Sequence, residues 1–287
     1  MSKIAVILVH YNDTRFLINW MEKMRVQNPD EIILVDDNST EMHIEGIKAL
    51  LPVGVQVVKN DFGKGPFSAF AKGCSVTECE FVTCWSTDDE PEVGYMRQIR
   101  YAIDRFPWVG LITTNAKVLK EGKVYKRTLF PFDSYITPDY AVKIFKAGLA
   151  KNINLIGNVV RTSTIHEAWQ NGGSKLKANF DGMYFFFEVF AGGFLNLADH
   201  LVLYRSYSNG VGAASNKKDL RLAHQVHKEY YKRRILAYKR AVSSGIWSLK
   251  TQWTAWIAQW CAKYMPKIFR EIMYKKIYQY DWRIEKL

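Results

Sequence analysis

Short apolar runs alternate with amphipathic stretches through the first ninety residues. Ile4-Ala5-Val6-Ile7-Leu8-Val9 has no polar interruption, and the polar group His10-Tyr11-Asn12-Asp13 closes it. From Phe16 to Met24 the spacing turns helical, with Phe16, Leu17, Trp20 and Met24 on one face. Glu31-Ile32-Ile33-Leu34-Val35 repeats the strand pattern and ends in Asp36-Asp37-Asn38-Ser39-Thr40. A helical stretch around Ile44 to Leu51 leads into Val55-Gln56-Val57-Val58. The loop Asp61-Phe62-Gly63-Lys64-Gly65 then opens another helix, and Phe81-Val82-Thr83-Cys84-Trp85 follows. Apolar strands alternating with helices predict parallel βαβ units with buried strands, an α/β fold with a mostly parallel sheet flanked by helices.

The chemistry sits where these strands end. Asp88-Asp89-Glu90 follows the fourth apolar run within a few residues. Clustered carboxylates at the tip of a buried sheet cost free energy unless a cation is bound there or the charges reach water. Hard divalent cations prefer oxygen ligands and commonly bridge one or two carboxylates to substrate phosphates. A solvated turn is the plainer explanation of the same residues. Against it stands the topology: parallel sheets bind ligands beyond the carboxyl ends of their strands, and three polar clusters lie at three such ends. Their convergence predicts a nucleotide site.

Val9-His10-Tyr11-Asn12, Val35-Asp36-Asp37-Asn38-Ser39, Gly63-Lys64-Gly65 with Ala69 and Gly73, and Ser86-Thr87-Asp88-Asp89 resemble, in order and spacing, the A-type glycosyltransferases. Among these the chain is similar to the inverting family numbered two. Looser echoes follow in Asn179-Phe180-Asp181, in Phe185-Phe186-Phe187-Glu188 and in the segment from Val202 to Asn209. The resemblance implies a Rossmann-like nucleotide-sugar-binding fold and transfer of a sugar from a nucleotide sugar to a hydroxyl acceptor. It implies that Asp89 binds Mg²⁺ or Mn²⁺, that Asp88 assists at the ribose or metal, and that Val9, Tyr11 and Asp37 frame the nucleobase. Gly63 and Gly65 would let the donor approach the backbone, a plain turn being the alternative. Arg205 would meet the diphosphate, or else form a surface ion pair.

Inversion is a single displacement, so a general base must deprotonate the acceptor hydroxyl. Glu188 is the first choice, because the aromatic run before it would raise its pKa by desolvation. Asp181 is the second, and a structural role for Glu188 paired with a lysine or arginine stays open. The sequence departs from the family at Phe70-Ala71, where many members carry Arg-Asn, at Val189, where an acceptor-side aspartate often stands, and at Tyr207, where a histidine is common.

Composition adds one asymmetry. The chain of 287 residues has 40 basic and 28 acidic side chains. Residues 217–287 hold 17 of the former and five of the latter, so the first 216 residues are balanced at 23 each and the tail carries the whole excess. Lys228, Lys232, Arg233, Arg234, Lys239 and Arg240 cluster on one predicted helix. Ile246, Leu249, Trp253, Trp256, Ile257 and Trp260 form an apolar stripe on a second. Three readings of this C-terminal helical extension are open: packing on the catalytic domain, docking on an anionic membrane surface, and nucleic-acid binding. The expected division is a catalytic domain over 1–216, with donor-binding (1–114) and acceptor-side (115–216) parts, and the basic extension over 217–287.

No signal peptide is expected, because the apolar run after Lys3 is too short, and no run is long enough to span a bilayer. The four cysteines show neither a CxxC pair nor a zinc spacing, as expected for reduced, buried thiols. The expected setting is cytoplasmic, at the inner face of a membrane, with a glycan or lipid-linked acceptor. Two other functions fit the composition: a glycosyltransferase that modifies nucleic acid, and a non-catalytic nucleotide-sugar or polyanion-binding module.

Overall fold

The computed structural model describes residues 2–12, 14–40, 44–63, 65–129, 133–136, 156–175 and 193–206. Expectations at Asp181, at Glu188 and over 217–287 lie outside them. The amino-terminal part runs β1 (Ile4–His10), α1 (Leu17–Arg25), β2 (Glu31–Asp36), α2 (Ile44–Leu50), β3 (Gln56–Lys59), α3 (Pro66–Cys74) and β4 (Phe81–Ser86). Then come β5 (Glu90–Pro91), α4 (Tyr95–Arg105), β6 (Leu111–Lys120), β7 (Lys123–Arg127) and β8 (Ser134–Ile136). β9 (Val159–Arg161), α5 (Thr162–Gln170) and β10 (Phe194–Arg205) complete the described elements. The strands form one sheet in the order β3-β2-β1-β4-β9-β6-β10-β5, with β7 on β6 and β8 on β10.

The register positions the site. β1 lies parallel between β2 and β4, with His10 opposite Asp36 and Val9 opposite Ser86. β2 pairs with β3, where Asp36 faces Lys59. The carboxyl ends of β1, β2, β3 and β4 therefore stand side by side. β9 then runs antiparallel between β4 and β6, and β10 returns parallel to β6. The expected boundary near Asn115 falls inside β6, so the 1–114 and 115–216 segments contribute to the same sheet.

The apolar runs become strands because both faces are covered. Ile4 to Leu8 and Ile33 to Val35 are fully buried. On one face Trp20 of α1 meets the ring of Trp85 edge-on at 6.2 Å between centroids, and Trp85 meets Tyr95 of α4 at 5.1 Å. On the other, α3 lies close against β1 and β2 through Gly73, where an added Cβ would sit 2.5 Å from Ile7 Cγ2. Phe70 and Ala71, the departures from the family's Arg-Asn, are both buried. That replacement trades a polar contact for core packing. Cys74, Cys79 and Cys84 are buried free thiols, and burial, with the nearby Asp89 charge, pushes Cys84 up to about 12. None of the described helices is long and apolar enough to cross a membrane.

Candidate active site

Two tight turns shape the ends of β1 and β2. Asn12 and Asn38 both adopt left-handed backbone (φ +57° and +63°), a conformation asparagine tolerates better than most residues. Asn12 ties the turns together, its carboxamide oxygen accepting from the Thr40 N–H at 2.7 Å and its N–H donating to Ser39 Oγ at 2.9 Å. Below them the buried Asp36 accepts from the Ser39 hydroxyl and lies 3.5 Å from His10 Nδ1. Val9 is half-buried and Tyr11 is 53% exposed, so the Tyr11 ring is available to a ligand.

Asp37 organises the glycine loop. Its Oδ2 accepts from the Gly65 N–H at 2.8 Å, and its Oδ1 accepts from Asn60 Nδ2 at 2.6 Å. Asn60 also donates to Ser68 Oγ and to the Gly63 carbonyl. Gly63 and Gly65 have φ of +121° and +120°, values that only glycine adopts without strain. The loop backbone is thus fixed by the carboxylate assigned to the base pocket.

The acidic pair is held by one hydroxyl. Ser86 Oγ lies 2.6 Å from Asp88 Oδ1 and 2.8 Å from Asp89 Oδ2, which sets the two carboxylates side by side. Asp89 Oδ1 accepts the Arg205 N–H at 2.8 Å. Burial, and after it the Asp88 charge, push Asp89 up to about 8. Asp88 is half-buried. These oxygens form an electrostatically unfavourable group that added positive charge would relieve.

Arg205 is half-buried, its side chain 14% exposed. Its guanidinium contacts the Asp88 carbonyl and the Glu90 carboxylate and stacks 4.8 Å over the Phe16 ring. Lys23 reaches the other Glu90 oxygen, and Asn19 donates at 3.1 Å. Burial alone would raise Glu90, but hydrogen bonds from Lys23 and Arg205 outweigh it and hold the carboxyl below its ordinary range. This cluster, with Glu90 buried and Lys23 open to solvent, braces the Asp88-Asp89 turn from beneath. Tyr204 is pushed up by burial and then by the Asp89 charge.

Val9, Tyr11, Asp37, Gly63, Gly65, Asp88 and Asp89 therefore share one end of the sheet, with Arg205 behind them. His10, Asn60, Ser68 and Ser86 join them. Asn60 had a legible signal, as the first polar residue after β3, whereas the roles of Ser86 and Glu90 emerge only from packing. Among the described residues no cluster of three or more His, Cys, Asp or Glu forms a ready metal cage.

Residues 5–162 match the family described as glycosyl transferase family 2. The chain belongs to that family. It is a glycosyltransferase with the A-type fold, and the α/β sheet described above is that fold. Solved structures of S. aureus TarS are similar to it. The TarS 1-349 complex with UDP-GlcNAc superposes with a TM-score of 0.60 at 17% identity, over 89% of this family 2 chain and 79% of TarS 1-349. The UDP complex gives 0.57 at 17%, over 79% and 65% of the two chains. A further TarS structure gives 0.54 at 18%, with this chain spanning 72% of its own length and 37% of that one. A comparison with curated proteins finds no match.

Proposed function

We propose that the chain is a metal-dependent, inverting glycosyltransferase that moves a sugar from a nucleoside-diphosphate donor to a hydroxyl of a lipid-linked or cell-surface glycan. The observation that carries this reading is the meeting of Tyr11, Asp37 and the Asp88-Asp89 pair at adjacent ends of parallel strands. TarS, a structural neighbour, is described with UDP and with UDP-GlcNAc, which makes a uridine diphosphate sugar the first donor to test. In this reading Tyr11 and Val9 flank the base, Asp37 accepts from it or from the ribose, and the backbone of the Gly63 to Gly65 loop lies along the donor.

The oxygens at Asp88 and Asp89 suit Mn²⁺ or Mg²⁺, being hard ligands whose burial and mutual repulsion Arg205 offsets only in part. When bound, such an ion stabilises the charge that develops on the leaving diphosphate. Ser86 and the Arg205 backbone orient the two carboxylates, and the Lys23–Glu90–Arg205 cluster keeps the turn from relaxing. Glu188, with Asp181 as the second choice, takes the acceptor proton as its oxygen attacks the anomeric carbon. Residues 1–216 form the catalytic domain, and the basic extension over 217–287 docks on anionic membrane.

The reading is tested by a thermal-shift panel of nucleotides and nucleotide sugars with and without Mn²⁺. A ligand at a hundredfold excess over its Kd stabilises the folded state by about 2.7 kcal/mol. A metal-dependent rise with one nucleoside diphosphate sugar supports the proposal. A flat panel with no donor hydrolysis in Mn²⁺ removes it, and binding without hydrolysis or transfer leaves a binding module.

A further inference from the structure

The loop assigned to the donor contains two glycines, which supply no rigidity of their own. Gly63 and Gly65 sit at φ of +121° and +120°, and a residue without Cβ has many other conformations open to it. Beside them Phe62 breaks the polar character expected of a loop, with its aromatic side chain left 39% exposed. That ring is not loose. It stacks on Trp169 of α5 with 5.5 Å between centroids and 23° between planes, and Lys72 Nζ lies 5.1 Å over it. Lys72 also pairs with Asp61 at 2.8 Å, and the Phe62 N–H donates to Asn60 Oδ1 at 3.0 Å.

The stack can serve α5 or the loop, and the other contacts decide between them. α5 is fixed on α3 without Phe62. Trp169 meets Phe67 edge-on at 5.8 Å, and His166 Nε2 lies 3.1 Å from the Cys74 carbonyl oxygen. Just beyond α5, Gly173 approaches so closely that an added Cβ would sit 2.3 Å from Phe67 Cε1. Phe62 therefore adds little to a helix already anchored. To the loop it adds a second anchor, besides the Asp37 carboxylate that holds the Gly65 N–H and Asn60. Holding a binding loop in shape before its ligand arrives removes part of the ordering cost of binding, so such a contact acts on affinity.

We propose that Phe62 and Trp169 are positioning residues for the donor. Their stack keeps the Gly63 to Gly65 backbone ready, so donor affinity depends on it and the rate of the bound complex does not. This rests on the transfer reading above and names the residues that preorganise its donor loop.

Calorimetry of UDP with Mn²⁺ on the full-length protein measures the affinity. F62A and W169A should each raise the Kd about two- to tenfold, the range an aromatic pair is worth. The double variant should cost no more than either single one, because both remove the same contact. F62Y keeps a stacking ring and should restore the wild-type value. Should W169A fold poorly, W169L takes its place, keeping bulk without a stacking face. Hydrolysis of UDP-GlcNAc in Mn²⁺ should show KM raised and kcat unchanged. Exchange of the Gly65 amide hydrogen, which bonds Asp37, needs no ligand and reads the loop directly. It should speed up in F62A by about the same factor, whereas the Val6 amide in β1 should not change.

An unchanged Kd in F62A, additive costs in the double variant, or a loss in kcat with KM unchanged overturns the proposal. So does a lowered Tm with Kd and Gly65 exchange both at wild-type levels, which would make the stack plain packing. If UDP does not bind the wild type, Gly65 exchange decides. Faster exchange in F62A keeps the stack as the anchor of the loop, and unchanged exchange removes it. The transfer reading is judged separately on the nucleotide panel, so the two can fail independently.

Discussion

Asp89 shows how one carboxylate can serve chemistry at a cost to stability. Its pKa is raised from 3.8 to about 8, by burial first and by Asp88 second. The folded protein thus holds a proton that the unfolded chain releases across that interval. Stability is fully present below the unfolded pKa and is lost as pH rises through the folded one. The metal-free protein should therefore melt at progressively lower temperature as pH climbs through this window, and Mn²⁺ should restore the loss at its upper end. Asp89→Asn should flatten the pH dependence and keep the fold, yet lose most turnover, because an amide is a poor ligand for a hard cation. Thermal melts over a pH series with and without Mn²⁺ decide this. An asparagine variant that gains as much from the ion as the wild type would remove Asp89 as a ligand. At the acceptor side Glu188→Gln should leave donor binding intact while transfer falls by about 10²–10⁴-fold, and Asp181→Asn should cost much less. Single-turnover rates with the reverse ranking would exchange the two roles.

At the scale of elements, the strands most readable in the sequence are those buried on both faces. β1, β2 and β4 are mostly apolar and each has a strand on both sides in the sheet, so composition alone marks them. β5, with two residues, and β8 and β9, with three each, are too short to show a period. Their strand character comes from pairing with β10, β4 and β6 far along the chain. The site divides the same way. Asp37, Asp88 and Asp89 were visible as polar clusters that end apolar runs. The brace beneath them was not, because Lys23 and Arg205 reach Glu90 across 67 and 115 residues. Gly73 belongs to the legible part and now has a physical role. Gly73→Ala should cost about 1–3 kcal/mol through overpacking against Ile7 and Val35, offset by up to about 1 kcal/mol of helix propensity. The urea midpoint should therefore fall, and a rise would show that α3 can retreat from the sheet freely.

Over the whole molecule, charge is segregated along the chain. The first 216 residues are balanced at 23 basic and 23 acidic side chains. The extension beyond carries the entire excess and suits an extended surface. On a predicted helix, Arg233, Arg234, Lys239 and Arg240 offer four charges, each contributing about 1 kcal/mol near anionic lipid. Their loss amounts to about 4 kcal/mol, roughly a thousandfold in partitioning. Reversing all four should abolish attachment to anionic vesicles at moderate salt while donor binding stays at the wild-type level. Truncation after residue 216 should do the same if the extension only docks. Should the Trp253-Trp256-Trp260 stripe instead complete the core, the truncated chain will be insoluble or molten whereas the charge-reversed protein stays folded. Vesicle flotation with circular dichroism on both variants separates these cases. Salt-sensitive DNA binding lost on charge reversal, with vesicles ignored throughout, would move the extension from lipid to nucleic acid.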